Sequence, residues 1–276
     1  MDKNEFERAV SAFASGDPGN YIAKEAAIRP DLAGMRIFDE PLFGYASAGD
    51  PLFEEFKKEG IIGAHFLPPG EWVDGARTVV SVFLPFTRAV KRANGADMNR
   101  PADEWLHARY EGQEFQAKTC RFAANLLEKE GFPTVAPMTD PRYTSGNPRF
   151  PDKARQEHHT SNWSERHVAY ACGLGTFGLS AGLITAKGVA GRFISLVTGA
   201  RFEENRRFYA KFDEYCIHCG ACVRNCPAKA ISAEAGKSHP PCSEFLNSIG
   251  RQGVRYGCGK CQVNVPCENG IPFKNA

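Results

Sequence analysis

Cys216, Cys219, Cys222 and Cys226 follow the spacing C-x2-C-x2-C-x3-C and are closed by Pro227. This is the run by which bacterial ferredoxins hold 4Fe–4S cubanes. Three thiolates on a tight turn reach three irons of one cubane. The fourth, displaced onto the next short helix, points to a second cluster. Zinc is the competing metal, but zinc sites use separated pairs of ligands rather than three consecutive x2-spaced cysteines.

A second cluster needs four further ligands, and four remain downstream: Cys242, Cys258, Cys261 and Cys267. The crossover pattern assigns Cys216, Cys219, Cys222 and Cys267 to one cubane. It assigns Cys226, Cys242, Cys258 and Cys261 to the other. Two neighbouring cubanes form a short electron wire, so the rest of the chain is expected to hold a donor or acceptor site. Of the ten cysteines, Cys120 and Cys172 stand apart in helical-looking stretches and read as small buried hydrophobes.

The chain has 276 residues, 42% of them apolar and 24% charged, with a formal net charge of +2. These values suit a globular protein of one large or two unequal domains. Neither a dedicated nucleic-acid binder nor a membrane protein is expected. The charge is modest, and no apolar run approaches the ~18 residues of a spanning helix. The mixed-charge start, MDKNEFERAV, does not resemble a secretory signal. Cysteines clustered as metal ligands point to a reducing cytoplasm.

The elements that must position this chemistry come first in the chain. NEFERAVSAF places Phe6, Ala9, Val10 and Phe13 on one helical face. A helix capped by Asp50, with Pro51 at its first position, is expected to stop at Gly60. ARTVVSVFLPF reads as a buried strand closed by Pro85. A long helix follows, anchored by Trp105, Leu106, Phe115, Phe122, Leu126 and Leu127 and ending at Gly131. TVAPM is a short strand. Residues 139–161 lack any period and carry Arg142, Arg149, Lys153 and Arg155, read by default as solvated charges. Asn162 and Glu165 have capping-box spacing before a helix that Gly173 closes. GLITAKGVAGRFISLVTG reads as two strands. Together these predict an α/β domain over residues 1–202 and a small metal-stapled domain over 203–276. His218, between cluster ligands, reads as a surface residue.

WSERHVAYACGLGTFGLSAGLIT, followed by this cysteine order, resembles epoxyqueuosine reductase and its relatives, with reductive dehalogenases more distant. The resemblance runs from about Pro41 to the C-terminus. It implies a nitroreductase-like mixed sheet layered with helices, joined to a ferredoxin-like double-cluster domain. It also implies cobalamin as a further cofactor, with Gly173, Gly175, Gly178 and Arg166 on its side. An acidic proton donor lies seven residues before the arginine of the family's Glu-Arg pair; that position is His159 here. His158 neighbours it, and Asp140 and Tyr143 are alternates. Leu179-Ser180 stands where the family has Lys-Asn, and the helical-repeat extension of tRNA-modifying members is absent. A small substrate is therefore expected, with electrons from a low-potential donor of ferredoxin or flavodoxin type. A non-catalytic electron carrier is the alternative, and a tRNA epoxyqueuosine reductase a weaker one.

Overall fold

In the computed structural model, residues 1–145, 160–250 and 255–273 are described. Helix α1 (Lys3–Gly16) is set by a capping box: Glu5 N–H donates to Asp2 Oδ1 (2.8 Å) and Asp2 N–H to Glu5 Oε2 (2.9 Å). Its Phe6, Val10 and Ala14 are buried. Strand β1 (Leu42–Ser47) follows, then α2 (Pro51–Glu55), α3 (Pro69–Trp72) and β2 (Thr78–Pro85). Asp50 caps α2 through Leu52 N–H, as its position predicts. The helix ends at Glu55, however, and the segment to Gly60 goes into turns. Helices α4 (Arg88–Ala96) and α5 (Asp103–Lys129) lead to β3 (Thr134–Val135). Gly131, at φ +84°, closes α5, where a residue with a Cβ would be strained.

After α6 (Glu165–Ala171) come β4 (Gly175–Phe177), β5 (Leu183–Thr185) and β6 (Gly191–Thr198). The main sheet has the order β1-β2-β6-β3. Every neighbouring pair in it is antiparallel, where a mixed sheet was expected. β2 and β3 do run the same way, but β6 inserts between them, so no parallel pair forms. β4 and β5 make a separate hairpin.

β2 is buried on both faces, which accounts for its unbroken apolar run. Val80, Val82 and Leu84 pack with Phe6, Val10, Phe115 and Leu127 of α1 and α5. On the other face, Val79 packs with Phe53, Trp72, Trp163 and Val168. The result is a helix–sheet–helix sandwich, with α6 lying on the face opposite α5.

The C-terminal module contains α7 (Ala221–Arg224), the hairpin β7 (Ile231–Ser232) and β8 (Gly236–Lys237), and α8 (His239–Gly250). The charged stretch leading into it is strapped to the sandwich rather than free. Asn205 N–H donates to Tyr45 O (2.9 Å), Arg207 pairs with Asp50 (2.5 Å), and Tyr209 donates to Tyr170 O (2.5 Å). Further on, fully buried Lys260 donates to Asn94 O (2.6 Å) and Oδ1 (2.8 Å), while Asn94 Nδ2 donates to Cys258 O (2.9 Å). No helix among the described residues is long and apolar enough to cross a membrane.

Candidate functional site

The eight downstream cysteines line two separate cavities. Cys226, Cys242, Cys258 and Cys261 line one of about 160 Å³. Cys216, Cys219, Cys222 and Cys267 line a smaller one. Two C-G-x-C turns aim these thiols. Gly220, between Cys219 and Cys222, and Gly259, between Cys258 and Cys261, both adopt left-handed φ (+70° and +66°). Each reverses the chain so that both flanking cysteines face one void. Gly259 also lies against Trp105 of α5, where a Cβ would fall 1.9 Å from the ring.

Among the described residues, no three His, Cys, Asp or Glu side chains converge as a single ion requires. Thiols spread around a void suit a cubane, whose corners are occupied by separate irons. Burial pushes the Cys222 and Cys258 thiols up to about 11 and Cys267 up to about 12. Metal binding would therefore have to displace protons from them. Ala230 N–H donates to Cys226 Sγ (3.3 Å), a contact of the kind that tunes cluster potentials. Cys219 is exposed, whereas the other seven are partly or fully buried.

The larger cavity also touches the α/β layer. Arg192, at the start of β6, and Arg109, on α5, line it with Tyr256. Arg166, the second residue of α6, feels Cys261 and Cys242, so it lies on the thiol side. Arg109 Nη2 donates to Tyr256 Oη (2.7 Å). Arg192 Nε donates to Gln116 Oε1 (3.0 Å), and Gln116 is itself held by Phe193 O (3.0 Å).

Beside Arg192 sits Glu165. Neither of its carboxyl oxygens is solvent-accessible or reaches a hydrogen-bond partner among the described residues. The Ser195 hydroxyl favours the ionised form but does not meet hydrogen-bond geometry, and it accepts instead from Trp163 Nε1 (2.8 Å). Burial dominates and pushes Glu165 up to about 8, against Ser195 and Arg192. The expected capping box is therefore not formed. The cap of α6 is Ser164. Asn162 is consumed by the preceding loop, accepting from Thr144 N–H (2.8 Å) and donating to Arg142 O (2.8 Å). Glu165 turns inward. Sequence spacing concealed this residue, because a helix-start glutamate ordinarily faces solvent. His167 next to it is pushed down to about 4, by burial first and Arg166 second, and stays neutral.

The remaining sequence candidates divide as follows. His159, with His158, Arg149, Lys153 and Arg155, lies outside the described residues. Asp140 is engaged by Arg142 through both carboxylate oxygens (2.9 Å each), which holds it below the usual carboxylate range. That makes it a poor acid. Arg142 is not merely solvated, since it also donates to the carbonyls of Glu71 (2.9 Å) and Trp72 (3.1 Å). Tyr143 is largely buried, and its hydroxyl feels Glu165 and Arg192.

The glycines of the loop pack closely against their neighbours on the Cβ side. Gly173, at φ +80°, caps α6, and a Cβ there would meet Asn205 at 3.1 Å. A Cβ on Gly175 would fall 1.9 Å from Ile184 O, in the β4–β5 hairpin. Only Gly178 borders a cavity, the smaller thiol-lined one. On their Cβ side, Gly173 and Gly175 serve close approach within the protein. His218, at φ +51°, is exposed and paired with Asp213 (3.1 Å). Cys120 and Cys172 are fully buried, as expected.

Residues 209–232 match the 4Fe-4S binding domain family. No curated protein matches the chain. Among solved structures, a selenomethionine-labelled epoxyqueuosine reductase superposes with a TM-score of 0.53 at 17% identity, covering 84% of this chain and 63% of that one. Epoxyqueuosine reductase from Streptococcus thermophilus gives 0.51 at 15%, with coverages of 84% and 64%. A reductive dehalogenase described as acting by B12-dependent dehalogenation gives 0.50 at 14%, with coverages of 84% and 30%. The chain thus spans somewhat less than two thirds of the length of the two epoxyqueuosine reductases and under a third of the dehalogenase. It has the α/β fold shared by epoxyqueuosine reductase and reductive dehalogenase structures, with a 4Fe-4S binding domain in its C-terminal part.

Proposed function

We propose that this protein is an iron–sulfur reductase carrying two 4Fe–4S clusters. One is held by Cys216, Cys219, Cys222 and Cys267, the other by Cys226, Cys242, Cys258 and Cys261. The observation that carries the reading is the division of these eight thiols between two cavities in that crossed arrangement.

Direction follows from exposure. Cys219 is the exposed ligand, so the first cluster is where a low-potential ferredoxin- or flavodoxin-type donor delivers electrons. The second cluster's cavity reaches Arg109 and Arg192 of the α/β layer, so electrons leave there toward a small-molecule acceptor. Each cubane passes one electron at a time, so a two-electron reduction draws twice on the donor. Glu165, held neutral at pH 7 by burial, lies near Arg192 but outside the cavity lining, so no proton-donor role is given to it. Cobalamin is what the dehalogenase relative suggests as acceptor. Gly173 and Gly175 pack against Asn205 and Ile184 on their Cβ side and give no observation in its favour.

The two thiol-lined cavities also suit a second reading, an electron carrier without chemistry of its own. Anaerobic reconstitution with iron and sulfide, followed by reduction and addition of cobalamin, separates the possibilities. Cobalamin retained by the iron-loaded protein supports a corrinoid acceptor. Its passage into the filtrate leaves direct reduction of the substrate or simple carriage. A pocket-directed ligand that perturbs the second cluster's spectrum then excludes simple carriage.

A further inference from the structure

Two guanidinium groups, those of Arg192 and Arg109, line the α/β side of the larger cavity, and a third, the exposed Arg166, acts on Arg192 from outside the lining. Arg192 is pulled down to about 9, first by burial and then by the like charges of Arg109 and Arg166. Among the described residues, none of the three forms a salt bridge with a carboxylate. Glu111, one turn beyond His107 on α5, is already taken by Arg255 and His107. Glu165 beside Arg192 is held neutral below about pH 8. Two like charges on one cavity wall are eased when an anion compensates them.

An iron–sulfur cluster on thiolates is itself anionic and would offset Arg166, which feels Cys242 and Cys261. Arg192 lines the same cavity as Cys226, Cys242, Cys258 and Cys261, on the wall formed by the α/β layer. Its geometry is prepared for an anionic partner. Gln116 fixes Nε, and the two terminal nitrogens make no hydrogen bond among the described residues. Tyr256 Oη, held by Arg109, stands at the same wall, and Phe86 and Trp105 supply apolar surface beside it. A fixed guanidinium fork beside apolar walls is the recognition chemistry for an oxyanion on a small organic molecule.

We propose that Arg192, with Arg109 and Tyr256, forms an oxyanion-binding site that takes the carboxylate or phosphate group of the substrate and sets it beside the second cluster. The proposal rests on the reductase reading and names its substrate class as a small anion.

The test uses the full chain, reconstituted anaerobically, with benzoate and inorganic phosphate as probes in titration calorimetry. Iron content and the reduced-cluster EPR spectrum are recorded on the same sample. One probe should bind per chain and shift the EPR signal of one cluster. Binding of benzoate alone identifies a carboxylate site, and of phosphate alone a phosphate site. Arg192→Met should weaken binding about 30-fold or more, the usual cost of truncating a buried charged partner, with iron content unchanged. Gln116→Leu, which keeps the charge but frees its orientation, should weaken binding several-fold and guards against a misfolded arginine variant. Fully loaded wild-type protein that binds neither probe overturns the proposal, as does an Arg192→Met variant that binds like wild type. Low iron with intact probe binding would instead remove the reductase reading and leave the anion site standing.

Discussion

Replacing Glu165 by Gln isolates a buried, strongly perturbed acid of the α/β layer. The carboxyl is surrounded by Cys120 of α5, Tyr143, Cys172, and Arg192 and Ser195 of β6. Among these only Arg192 is cationic, and burial outweighs it, raising the group from 4.5 to about 8. On that value the carboxyl is about 90% protonated at pH 7 and about 10% at pH 9. The shift corresponds to roughly 5 kcal/mol of preference for the neutral form in the folded state. The native state then binds more protons than the unfolded state between about pH 4.5 and pH 8. This contribution is complete below that window and is lost as pH rises through it. Infrared difference spectra between wild type and Glu165→Gln should show a protonated-carboxyl band at pH 6 that fades with a midpoint near pH 8. The wild type should also lose thermal stability relative to the Gln variant from pH 5 to pH 9, by about 10 °C. A band already absent at pH 6, or one titrating near 4.5, would refute the reasoning. It would mean that Arg192 or Ser195 stabilises the anion more than burial destabilises it.

Cys219→Ala should lower iron from about eight to about four per chain, sparing the second cluster, and this is read by iron and sulfide analysis. Retention of all the iron would show that the ligand set is wrong. Gly259→Ala places a Cβ inside the Trp105 ring and strains a left-handed residue. It should remove the second cluster and keep the first, a loss of one of two EPR signals. Lys260→Met leaves Asn94 O and Oδ1 without their buried donor and should cost about 2 kcal/mol or more in stability. A thermal midpoint within 1–2 °C of wild type, too small a shift for that cost, would contradict the role given to this contact.

The buried strand β2 was legible because a run of β-branched and aromatic residues closed by proline leaves little alternative. The glycine-closed α5 was legible because 27 residues of helical periodicity end in a residue free to turn left-handed. The crossed assignment of cysteines came from the ferredoxin-type run and the number of cysteines left downstream, and the same two sets line two cavities. Strand β1 escaped notice because Leu42–Ser47 contains a glycine and small residues and is defined by pairing to β2. Gly44 is needed there because a Cβ would strike Cys172 O at 2.5 Å, a contact 128 residues away in sequence. Glu165 was misread for a similar reason. Its spacing from Asn162 is a local signal, whereas its burial is set by β6 and α5. Arg192 carried no motif at all. It becomes noticeable only when Arg109 of α5 and Tyr256 arrive at the same cavity.

The central claim is that one chain carries two cubanes on the crossed ligand sets. It is tested most directly by iron and acid-labile sulfide analysis of the anaerobically reconstituted protein and its Cys258→Ser variant, with EPR of the reduced forms. The account predicts about eight irons in the wild type with two interacting signals. It predicts about four in the variant with one isolated signal, that of the cluster behind exposed Cys219. Four irons in the wild type, or a zinc content near one per chain, would contradict it.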